Sequence, residues 1–73
     1  MRRFSDRAGR AWDVVVGRES WGALLALFVP ADGGTVRQAM LAAAGYTEAN
    51  QELEAMSDAE LQALLDGSVE KES

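Results

Sequence analysis

The chain has 73 residues, a mass of 7.8 kDa and a net charge of −5, with 48% apolar and 26% charged residues. That balance argues against wholesale disorder, and the lack of any Cys or His excludes disulfide frameworks, Cys/His zinc sites, thiol nucleophiles and histidine acid–base chemistry within it. A chain this short hides only about 60% of the surface its unfolded form exposes, so it must pack tightly or share its apolar surface with a partner.

Arg2-Arg3-Phe4-Ser5, the break Asp6-Arg7-Ala8-Gly9 and the run Arg10–Val16 predict a β-hairpin. Asp bonds its own downstream backbone, and Gly accepts positive φ. In the second strand Trp12, Val14 and Val16 fall on one face, with Ala11, Asp13 and Val15 on the other. Three consecutive valines favour extension. Gly17 and Gly22 bracket a connection over Arg18-Glu19-Ser20-Trp21.

Ala23–Val29 is apolar on both parities, which suits either a central strand or a buried helix. Its length, the glycine before it and Pro30 after it favour the strand, and Pro30–Gly34 reads as a loop. Thr35–Ala44 carries two readings. Thr35 with Gln38 has the form of a capping box, and Val36, Ala39, Met40 and Ala43 recur at helical spacing ahead of Gly45. Alternatively Gly33-Gly34 closes a hairpin, and residues 35–41 return as a fourth strand. The strand is adopted, on the resemblance given below.

Thr47–Met56 predicts a helix with Ala49, Leu53 and Met56 on one face. Ser57-Asp58-Ala59-Glu60 is a capping box opening a second helix, which carries Leu61, Leu64 and Leu65 and closes at Gly67. The expected fold is α+β: an antiparallel three- or four-stranded β-meander followed by two short C-terminal helices packed on one face. It forms a single domain over residues 1–67, with a flexible C-terminal tail over 68–73.

The opening Phe4-Ser5-Asp6-Arg7-Ala8-Gly9-Arg10-Ala11-Trp12 and the closing Met56-Ser57-Asp58-Ala59-Glu60-Leu61-Gln62-Ala63-Leu64-Leu65 resemble a group of short bacterial proteins with no known activity. In that pattern an Arg-containing strand lies between the two segments, where Val36–Leu41 stands here. The resemblance implies a fold tendency and no chemistry.

Catalytic constellations are sparse. Ser57 is better explained as a cap, and the lone Lys71 lies in the tail. Asp13 would serve as a base only if burial raised its pKa; the reading adopted is a solvated carboxylate paired with Arg3 or Arg10 across the hairpin. Gly17 and Gly22 have the spacing of a phosphate loop's glycines but lack the following Lys-Ser/Thr. Glu48 and Glu52 share a helix face, as acidic pairs on solvated surfaces routinely do. No catalytic, metal or cofactor-binding residue is assigned, and the chain is read as a non-enzyme.

Charge is uneven. Residues 1–18 carry five arginines against two carboxylates, a net +3, and residues 19–73 carry a net −8. Arg2, Arg3, Arg7, Arg10 and Arg18, with Trp12 and Trp21 to stack on bases, keep a nucleic-acid-binding regulator as the alternative reading. An acidic protein is a poor default ligand for phosphates, however. The apolar run 23–29 is too short to span a bilayer, so no membrane association is expected and the chain is read as cytoplasmic.

Two short helices cover one face of a small sheet. Strands apolar on both sides, as Val14–Val16 and Ala23–Val29 are, are normally buried on both. The expected surplus is an interface comprising Val15, Trp21, Leu25, Leu27 and Val29, for a homodimer or a larger protein partner.

Overall fold

A computed structural model describes residues 2–71. Strand β1 (Arg2–Ser5) turns into β2 (Ala11–Arg18) through the expected Asp-to-Gly break. The Asp6 carboxylate accepts from the backbone N–H groups of Ala8 and Arg10 at 3.0 and 2.9 Å. Gly9 supplies the positive φ, +85°, that the turn needs. After β2 come β3 (Leu24–Pro30) and β4 (Arg37–Met40), the latter two joined through Gly33 and Gly34, both at positive φ. Both ambiguous segments, 23–29 and 35–44, therefore contain strands.

Helix α1 (Tyr46–Ala55) begins at Gly45, a residue the helical reading of 35–44 had placed at a C-cap. Helix α2 (Asp58–Asp66) opens on the capping box: Ser57 Oγ accepts from the Glu60 N–H at 3.1 Å, and the Glu60 carboxylate accepts from the Ser57 N–H at 3.0 Å. Ser57→Ala is expected to cost about 1 kcal/mol. In a domain of this size that lowers Tm by roughly 4–8 °C per kcal/mol, a shift thermal denaturation would resolve.

The sheet is antiparallel in the order β1-β2-β3-β4-β5, where β5 is Val69–Glu70. The strand count is thus five rather than three or four. The fifth strand falls in the segment expected to be a tail. Its pairing has a visible cause: Arg37 Nε donates to Ser68 Oγ at 2.8 Å, and Arg37 Nη2 donates to the Ser68 carbonyl at 2.7 Å. Ser68 is buried and its hydroxyl donates to the Leu65 carbonyl. A cation is thereby held against the C-terminal end of α2, where the helix dipole favours it. The chain leaving α2 is drawn onto β4, and the Lys71 N–H donates to the Val36 carbonyl at 2.8 Å. Residues 72–73 of the expected tail lie outside the described residues.

Cross-strand register sorts the side chains. On one face lie Phe4 opposite Trp12, Val14 opposite Phe28, and Val16 opposite Ala26, which in turn opposes Ala39. These pack with Ala49 and Leu53 of α1 and Leu61 and Leu65 of α2 into one cluster, with Val16, Ala39, Met56 and Leu64 at its margin. Phe28 sits at its centre, edge-on to Phe4 and Trp12 at centroid distances of 6.0 and 6.3 Å. The molecule measures 32 × 29 × 19 Å. The short dimension fits one sheet layer and one helix layer, each about 10 Å thick.

Candidate functional site

The second face of the sheet is built by the residues between those core positions. Register places them in three rows: Arg3–Asp13–Val29, then Val15–Leu27–Gln38–Val69, then Gly17–Leu25–Met40. Both helices pack on the opposite side, so among the described residues no helix lies over these rows. Val29, Met40 and Val69 are 36%, 61% and 58% exposed, and Val15 and Leu27 are half-buried. Aliphatic side chains thus cross four strands in a nearly continuous band, beside a cleft of about 400 Å³ lined by Leu25, Gln38, Ala39, Met40, Gly67 and Val69.

The expected interface residues fare differently. Val15, Leu27 and Val29 lie in these rows with part of their surface free. Leu25 lies in the same rows, opposite Gly17 and Met40, but is only 4% exposed. It forms the floor of the surface rather than a contact point. Trp21 is 70% exposed but belongs to the turn between β2 and β3, at the end of the sheet. Met40 and Val69 complete the face and were not expected there. Met40 follows from strand alternation once β4 is fixed, whereas nothing in the local sequence at Val69 announces the Arg37–Ser68 clamp.

Gly17 also shapes this surface. A Cβ there would stand 2.6 Å from Leu27 Cδ1, so the missing side chain is what lets Leu27 lie down across β2. The result is a flatter face than an all-β-branched β2 would give.

The only charged residues in the three rows are bonded to each other. Arg3 Nε and Nη2 donate to the two oxygens of Asp13 at 2.8 and 3.1 Å. This hydrogen-bonded ion pair holds the Asp13 carboxyl below its ordinary value, opposite to what a buried base would require. Asp13 is therefore the carboxylate paired with Arg3 that the hairpin predicts, though only 22% of its side chain is exposed rather than fully solvated.

The remaining arginines are dispersed. Arg2 bonds Asp58 at 2.9 Å and the Met56 carbonyl at 3.2 Å, at the junction of the two helices. Arg7 forms a two-pronged pair with Asp66 at the far end of α2, while its own N–H donates to Gln62 Oε1. Arg10 lies over the Trp12 ring at 4.8 Å, donates to the Gly33 carbonyl and faces Asp32 at 3.5 Å. Arg18 stacks over Tyr46 at 5.7 Å. Arg2 and Arg3 point to opposite faces by strand parity. Four of the five cations already meet carboxylates, and the five share no common surface. Trp12 is a core residue whose Nε1–H donates to Asp6 at 2.9 Å, which removes it as a stacking platform.

Among the described residues no cluster of three or more acidic side chains could hold a metal ion, and no helix is long and apolar enough to cross a membrane. Comparison with protein-family models, with curated proteins and with solved structures finds no match.

Proposed function

We propose that this domain is a non-catalytic interaction module that self-associates or docks onto a protein partner through its open sheet face. The observation that carries the reading is the band Val15–Leu27–Gln38–Val69, flanked by Val29 and Met40, on a side of the sheet that no helix covers. Apolar side chains gathered on one flat surface stabilise contact with another apolar surface at about 25 cal/mol per Å² removed from water. Isolated exposed apolar residues are ordinary; a group of them gathered on one face, as here around Gln38, supports a contact surface.

A photoreactive phenylalanine at position 40 tests this directly, with the same group at position 48, on α1, as the control. Position 40 is expected to give protein adducts in cells that position 48 does not. Equal labelling at both positions would contradict the reading. The alternative reading, a nucleic-acid regulator, requires Arg2, Arg3, Arg7 and Arg10 to release Asp58, Asp13, Asp66 and Asp32 before they can bind phosphates. Titration with DNA and RNA at low and moderate salt is expected to give no salt-dependent binding.

A further inference from the structure

The open face differs from the rest of the molecule in charge. The chain carries −5 overall, yet the three rows hold only the Arg3–Asp13 pair, which sums to zero. The carboxylates Glu48, Glu52 and Glu60 sit on the helices, on the other side of the sheet, where Asp58 and Asp66 are already paired with Arg2 and Arg7. A basic partner would be drawn to the helices and gain nothing from this face. A second copy meets the opposite situation. Two neutral faces come together, and the acidic helix layers end on the two outer sides. Two sheet layers then separate them by roughly 20 Å, more than twice the Debye length of about 8 Å at physiological salt.

One polar side chain lies within the apolar band. Gln38 stands between Leu27 and Val69, near the middle of the face, and its amide makes no side-chain hydrogen bond among the described residues. Against an arbitrary apolar partner that amide would be stripped of water without compensation. Against its own copy across a two-fold axis it is self-complementary: each N–H donates to the other's carbonyl oxygen.

Resting on the reading above, we propose that the occupant of the open face is a second copy of this chain, packed sheet against sheet about a two-fold axis beside Gln38. The test uses the full chain with Gln38→Glu and Gln38→Lys, each checked by circular dichroism to retain the fold, as expected of a half-buried position outside the core. Sedimentation equilibrium of the unsubstituted chain at hundred-micromolar concentration is expected to give twice 7.8 kDa. Each charged variant alone places like charges across the axis and is expected to weaken association about 100-fold. An equimolar mixture of the two is expected to restore the dimer. Should either variant fail to fold, Met40→Glu and Met40→Lys, at a more exposed place in the same face, replace them, each alone expected to give the monomer.

A monomer at every concentration of the unsubstituted chain would overturn the second copy as occupant. Labelling specific to position 40 would then leave docking to another protein standing. A dimer that neither Gln38 nor Met40 variants disturb would overturn both, because association would lie elsewhere.

Discussion

Phe28→Ala is expected to leave the chain without a cooperative folded state at 25 °C. Phe28 has no exposed surface and touches both other large aromatic groups of the core edge-on. It stands on the central strand, between Val14 of β2 and Arg37 of β4. Truncating such a side chain removes its transfer free energy and opens a cavity that rigid neighbours cannot fill, a loss of about 3–5 kcal/mol. A single core in a chain of this length supplies a net stability of about 3–5 kcal/mol. The two quantities match, so the variant has nothing left. Urea titration followed by Trp12 fluorescence checks this, and a sigmoidal transition with its midpoint close to that of the unsubstituted chain would contradict it.

The second large effect is expected on acidification. Four carboxylates are held below their ordinary pKa values. For Asp6 the main cause is the hydrogen bond from Trp12, followed by that from the Arg10 backbone. For Asp13 it is the Arg3 side chain, and for Asp66 the Arg7 side chain with help from Gln62. For Glu60 it is the Ser57 backbone N–H of the capping box. A carboxylate with a depressed folded-state pKa contributes its stabilisation in full above the unfolded value. That contribution is lost as pH falls through the folded value. Stability is therefore expected to be flat above about pH 5 and to decline steeply below about pH 4, where unfolded carboxylates begin to take up protons.

The losses fall together on the β1–β2 turn, the hairpin ladder and both ends of α2. Full protonation also leaves seven positive side chains unopposed, and their repulsion adds to the loss. Asp6→Asn, which keeps an acceptor for Trp12 but does not titrate, is expected to flatten part of this decline. Urea midpoints measured between neutral and acid pH test the claim, and a profile that stays level through the acid range would contradict it.

What the sequence makes legible is whatever depends on neighbours within a few residues. The Asp6–Gly9 turn, the alternation of Trp12, Val14 and Val16, and the Ser57–Glu60 box are local rules with local outcomes. Residues 35–44 sit at the limit, since alanine content favours helix while two glycines and the apolar β3 beside them favour a paired strand. Tertiary pairing with β3 decides it, because Ala39 is needed opposite Ala26 over the core. β5 is illegible for a stronger reason. Val69 and Glu70 have no pattern of their own and become a strand through contacts with Arg37, 31 residues earlier, acting on Ser68.

The open face is legible as a surplus of apolar residues on both parities. Its membership is less so, since Leu25 is buried within its row while Met40 and Val69 rise into view. The arginines show the limit of reading charge along a sequence. Clustered in residues 1–18, they are fanned across the fold by strand parity and by the carboxylates that receive them.

The most direct test is the methyl spectrum of the protein as its concentration rises from low micromolar to millimolar. The predicted result is a set of concentration-dependent shifts at Val15, Leu27, Val29, Met40 and Val69, with Val14, Leu53 and Leu61 unmoved. Spectra that superimpose throughout the range, or shifts that gather on the helices instead, would contradict a second copy seated on this face.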